Sequence, residues 1–132
     1  IDGSPSSIGE LNRFFEYLHE NNMAGVIFAK SFPEEVLATI AVNQQRGTLN
    51  ILPLCYGQAL DSINFLADLS VICGSDIITP LKGDVISLAD PKELVTVDSL
   101  VFNGQETIVI NSESFDRSKQ WVKVLKERLE KI

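Results

Sequence analysis

A single histidine and two cysteines in 132 residues leave little material for metal chemistry. A catalytic zinc site would ordinarily draw three protein ligands from such residues. Cys55 and Cys73 have neither metal-like nor redox spacing, and they read as buried thiols in a reducing compartment rather than as a disulfide. Basic residues are also scarce, with 11 Lys and Arg against 18 Asp and Glu and a net charge of -7. A nucleic-acid binder would carry a basic patch, and an anionic membrane surface would repel this chain. The direct meaning of the charge is solubility. No apolar run approaches the ~18 residues of a membrane span. No basic segment leads into an apolar one as in a secretory signal. There is no Gly-rich phosphate-cradling loop, no nucleophile elbow, no repeat and no low-complexity segment. No ATPase activity is therefore expected of these residues.

What is present suits one α/β domain spanning residues 1–132. The chain is long enough for a single core, and its 45% hydrophobic content is ordinary. It opens on Ile1-Asp-Gly without Met, which suggests a piece of a longer protein. Ser7 with Glu10 forms the pattern of a capping box and predicts a helix running to about Glu20. Leu11, Phe14 and Leu18 should face its core side, with Ile8 and Phe15 at the margin. Asn21-Asn22 should end it. Residues 25–29, Gly-Val-Ile-Phe-Ala, read as a strand buried on both faces. Residues 48–54 read as a second strand with Pro53 at its end, residues 59–72 as a helix stopped by Gly74, and residues 76–79 as a third strand. This alternation predicts parallel pairing with right-handed crossovers. An irregular stretch follows over 80–94. Strands are expected over 94–102 and 106–110 around Asn103-Gly104, a strong hairpin signal. From Ser114 a last helix is amphipathic through Trp121, Val122, Leu125 and Leu129.

The most informative stretch is residues 32–47, FPEEVLATIAVNQQRG. Ser31 with Glu34 gives a second capping-box pattern, Pro33 suits a first turn, and Gly47 is the expected stop, so a helix is predicted over 33–46. At about 100° per residue, Val36 and Ile40 share one face, Leu37 and Ala41 lie beside it, and Ala38 and Val42 lie further round. The apolar arc is about twice what packing against one core requires. Such a helix is either buried on two sides or offers one face to a partner. Glu34 and Glu35 in its first turn suit the helix dipole, and Arg46 suits its C-terminal end.

Val36-Leu-Ala-Thr-Ile-Ala-Val-Asn43, followed by Arg46-Gly47, resembles the groove helix in the apical domain of bacterial-type (group I) chaperonins, which runs close to A-L-A-T-L-V-V-N-x-x-R-G. The flanks agree. Ile8, Glu10, Leu11 and Glu16 fall where that family has its other groove helix. Gly74-Ser-Asp-Ile-Ile-Thr79 resembles its G-G-T-V-I-S strand, and Leu88-Ala-Asp-Pro-Lys-Glu-Leu94 its A-T-L-E-D-L-G segment. The resemblance covers most of the chain and is strongest over residues 6–80.

The resemblance implies an apical-domain-like α/β fold: a short parallel sheet flanked by helices, plus a β-hairpin and a C-terminal helix. It implies a cytoplasmic chaperone module that holds non-native polypeptide, and a co-chaperonin loop, in a groove between two helices, with sister subunits forming a ring. No cofactor is implied here; ATP and Mg would belong to another domain of the full-length protein. Carried over by position, Gly9, Asn12, Phe15, Glu16 and His19 should line the groove from the first helix. Leu37, Ala41, Val42, Asn43 and Arg46 should line it from the second. The family usually has leucine where this chain has Asn12, a basic residue where it has Gly9, and valine where it has Ala41. These departures imply a groove more polar at one end and a divergent member, such as a phage-encoded one. The family's β-rich part before these helices is mostly missing here, and with it part of the binding face. The alternative is a small α/β phosphocarrier or signalling domain using His19, which would carry a defined anion site; a lone helical histidine is more ordinarily a surface residue. A third reading, an oligomerisation domain, would self-associate through the same helices.

Overall fold

A computed structural model of the chain describes residues 1–57, 62–94, 96–104 and 106–131. The protein is mixed α/β, with a short parallel sheet, a small antiparallel hairpin and a C-terminal helix. Its internal contacts form two compact units, Ile1–Ser62 with Ile77–Lys92, and Ile63–Asp76 with Glu93–Ile132.

In the first unit, a 3-10 turn at Ile8–Leu11 leads into helix α1 (Asn12–Glu20). The expected capping box is not formed. Ser7 caps nothing with its side chain, and it is the Ser6 hydroxyl that bonds the Glu10 carboxylate. Asn22, in the left-handed region at φ 52°, ends the helix as the sequence predicts. Strand β1 (Gly25–Ala29), helix α2 (Glu34–Gln45) and strand β2 (Ile51–Cys55) follow. Here too the capping box is absent. Pro33 is the residue preceding the first helical turn, and the Ser31 hydroxyl lies 2.8 Å from that of Ser4. The C-terminal stop is formed as expected. Gly47 has φ 73°, its N–H donates to the Gln44 carbonyl, and the Thr48 N–H donates to that of Asn43.

β1 and β2 pair in parallel, from Gly25 opposite Ile51 to Ala29 opposite Cys55. Pro53 lies inside β2 rather than at its end, and the ladder explains why it is tolerated. Gly25 N–H donates to Asn50 and Tyr56 N–H donates to Ala29, so the even-numbered positions of this segment bond to β1. The N–H that Pro53 lacks would point to the free edge. The third strand expected at 76–79 is not formed among the described residues. Asp2 N–H donates to the Ile78 carbonyl and the Thr79 hydroxyl donates to the Asp2 carboxylate, but Thr79 also accepts from Leu81 N–H and caps the 3-10 turn Pro80–Lys82. The segment is tied to the N-terminal residues and turns away before a ladder can extend.

Side chains alternate across a sheet, so Ile27, Ala29 and Ile51 share one face. They form one buried cluster with Leu11, Phe15 and Leu18 from the first helical segment, and with Phe32, Val36 and Ile40 from and just before α2. Both helices therefore cover the same face of the sheet. Gly25 marks how closely α1 approaches: a Cβ there would lie 2.5 Å from Leu18 Cδ1 and 2.8 Å from Phe14 Cζ. Gly25→Ala should lower the urea midpoint, at a cost of about 1–3 kcal/mol from overpacking.

In the second unit, helix α3 (Ser62–Cys73) ends at Gly74, φ 72°, whose N–H donates to Ser70. The expected start of this helix at Ala59 and Leu60 lies outside the described residues. Strands β3 (Ser99–Phe102) and β4 (Thr107–Ile110) pair antiparallel around Asn103-Gly104, as the hairpin signal predicts, although β3 begins five residues after the expected 94. Helix α4 (Phe115–Glu130) follows a 3-10 turn at Ser112–Ser114. Asn111 joins these parts: its side-chain oxygen accepts from Glu113 N–H and its Nδ2 donates to the Ile72 carbonyl. Arg117 Nε donates to the Val71 carbonyl and Trp121 Nε1 to the Asp68 carboxylate. No described helix is long and apolar enough to cross a membrane.

The two cysteines are free but differ from the expectation that both are buried. Cys55 is exposed at the last position of β2, where the strand runs out. Cys73 is half-buried, and burial pushes its thiol above the usual 9.0, with Arg117 only partly opposing. The folded state thus holds the thiol proton more tightly than the unfolded state does. That contribution to stability is full below pH 9.0 and is lost as pH rises through the raised value. Iodoacetamide at pH 8 should alkylate Cys55 well before Cys73, read by mass spectrometry of the digested chain.

Candidate functional site

The side chains of α2 divide by depth around its axis. Val36 and Ile40 are buried, at 0% and 2% exposure, while Thr39 and Asn43 are half-buried beside them. The opposite side is apolar too. Leu37 is 39% and Val42 45% exposed, and Ala38 and Ala41 are exposed between them. Two small residues flanked by a leucine and a valine make a shallow apolar strip along one helix. Its N-terminal end carries Glu34 and Glu35, and its C-terminal end carries Gln44, Gln45 and Arg46, all exposed.

α1 contributes a polar strip. Asn12, Glu16 and His19 are exposed and, at three- and four-residue spacing, lie on one side of the helix. His19 Nδ1 is 2.9 Å from the Thr48 carbonyl. A carbonyl only accepts, so Nδ1 carries the proton of that bond. The strip therefore turns toward the chain leaving α2. Gly9 is exposed in the 3-10 turn, where an added Cβ would meet only Ser7 Oγ at 3.7 Å. Nothing steric demands glycine at this position.

Two expected lining residues are placed otherwise. Phe15 is 7% exposed and belongs to the core, whereas Phe14, expected inside, is half-buried. The rings sit 6.3 Å apart, tilted by 46°. Asn43 is committed to the end of α2: its Nδ2 donates to the Thr39 carbonyl, its main-chain carbonyl accepts from Thr48 N–H, and Thr48 Oγ1 bonds both of its oxygens. Asn12, Glu16, His19, Leu37, Ala41, Val42 and Arg46 are exposed and open to a partner. Ala38 is the residue that the positional carry-over passes over. The helical arc that groups it with Val42 is the signal that finds it.

The outward side of α2 offers apolar contact. It presents methyl and isobutyl groups bordered by carboxylates and amides. No group of three or more His, Cys, Asp or Glu that could hold a metal ion occurs among the described residues. No protein-family model matches the sequence.

Proposed function

We propose that the chain is a polypeptide-binding module of the kind found in the apical domain of bacterial-type chaperonins, holding non-native segments against the outward side of α2. The observation that carries this reading is the surplus apolar face of α2: Leu37, Ala38, Ala41 and Val42 remain exposed although Val36 and Ile40 already supply the core contact. An unfolded chain offers what such a strip lacks, apolar side chains with no fixed partner, and a shallow strip imposes little sequence preference. α1 gives the region a polar border in Asn12, Glu16 and His19. In this reading the protein works in the cytoplasm as part of a ring of sister subunits, where many weak sites act together through avidity. A co-chaperonin loop would compete for the same strip. ATP and magnesium would act on a different part of the full-length protein.

The test is to titrate a reduced, carboxymethylated unfolded protein into the isotope-labelled chain and to follow backbone amide shifts by NMR. The reading expects the largest changes at residues 37–46 and 12–19. Changes confined to the hairpin and α4, or none at saturating ligand, would overturn it.

A further inference from the structure

All six basic side chains of the second unit, Arg117, Lys119, Lys123, Lys126, Arg128 and Lys131, lie on α4 or at its end. Against Asp116, Glu127 and Glu130 they give residues 115–131 a net charge of +3. The whole chain carries -7, so the remainder carries -10. One side of α4 is engaged within its unit through Arg117 and Trp121, with the Arg128 guanidinium 5.4 Å from the Trp121 ring centre. On the other side no side chain makes such a bond among the described residues. Phe115, Val122 and Leu129 recur every seven residues, share one strip, and are 72%, 48% and 71% exposed. Lys119 and Lys126 border that strip. An anionic bilayer is a poor match for a chain of net charge -7. A better match is on the chain itself. The outward side of α2 has small residues flanked by Leu37 and Val42, with Glu34 and Glu35 at one end.

We propose that the Phe115–Val122–Leu129 strip of α4 docks on the outward face of α2 in a second copy of the chain, with its lysines against that copy's acidic end. The inference rests on the reading of the α2 face as a polypeptide-binding surface, and α4 is then a ligand that the chain supplies for it. The contact joins two different patches, so it is head-to-tail: each copy keeps one free strip and one free face, and association continues into a ring if the rotation closes and into an open filament if it does not. Unfolded polypeptide competes with it.

The experiment is sedimentation velocity on the full chain across a concentration series, in low and in high salt. Wild type should self-associate, less so in high salt. Lys119→Gln with Lys126→Gln removes the strip's charge, and Leu37→Lys with Ala41→Lys spoils the face. Each double variant alone should associate at least about tenfold more weakly. Mixed together they should form a 1:1 complex and nothing larger, because each retains the half that the other lacks. Circular dichroism confirms that both are folded, and the lysine variant alters only exposed side chains of α4. Wild type that stays monomeric throughout, association untouched by both variants, or variants that fail to recombine overturn the proposal. So does a monomeric wild type that binds phosphatidylserine vesicles through Lys119 and Lys126. A monomeric wild type that still binds unfolded polypeptide at α2 sinks only the docking of α4. Self-association that recombines as described, in a chain that binds no unfolded polypeptide, sinks only the polypeptide-binding reading.

Discussion

Val36→Ser should lower the unfolding free energy of the first unit by about 3 kcal/mol, combining lost apolar burial with a hydroxyl placed in a dry site. Val36 is 0% exposed and touches the cluster that joins both helices to the sheet. A domain of this size commonly has only about 5–15 kcal/mol of stability in total, so the variant should unfold at a visibly lower urea concentration. Serine in a helix interior can turn its hydroxyl back to the carbonyl four residues earlier, which trims the penalty without restoring the packing. A midpoint equal to wild type would mean that Val36 does not anchor α2.

Leu37→Ser with Val42→Ser should act mainly on binding and little on stability. The two side chains are 39% and 45% exposed, and removing them should cost the fold no more than about 1 kcal/mol per site, mostly as lost helix propensity and partial packing. A bound polypeptide would cover the exposed remainder. At ordinary transfer values that coverage is worth about 1 kcal/mol per side chain, or roughly 30-fold in Kd for the pair. The two effects come from opposite sides of one helix, within two turns of each other, which is what makes the comparison informative.

Periodicity carried much of this. The arc over residues 36–42 shows in the sequence that α2 has two apolar sides, and Val36 and Ile40 are the buried ones. It does not resolve Phe14 from Phe15. Leu11 and Leu18 set the core line of α1, and the two phenylalanines stand at equal angles on either side of it, so the choice falls to tertiary packing, where Phe15 joins Val36 and Ile40. The turn chemistry that glycine and asparagine dictate was legible: Asn22, Gly47, Gly74 and Gly104 all adopt positive φ where the chain was expected to turn or stop. Both capping boxes fail because other partners take their groups. Each serine-to-glutamate spacing is correct, but Ser6 rather than Ser7 reaches Glu10, and Ser31 bonds Ser4, a residue 27 positions away. The third strand fails because Thr79 serves the following turn. The amphipathic face of α4 was legible through Trp121, Val122, Leu125 and Leu129, but without Phe115. That it stays exposed was not, since sequence pattern reports a face and not what covers it.

The most direct test of the central claim is fluorescence anisotropy of a labelled, permanently unfolded polypeptide titrated with wild type, with Leu37→Ser/Val42→Ser, and with Val36→Ser held at a temperature where it remains folded. The account predicts a saturable wild-type isotherm, an affinity loss of roughly 30-fold in the double variant at a urea midpoint clearly above that of Val36→Ser, and near-normal affinity in folded Val36→Ser. Equal affinity in wild type and Leu37→Ser/Val42→Ser, or a double variant as unstable as Val36→Ser, would contradict it: the outward side of α2 would then be packing surface and not a binding face.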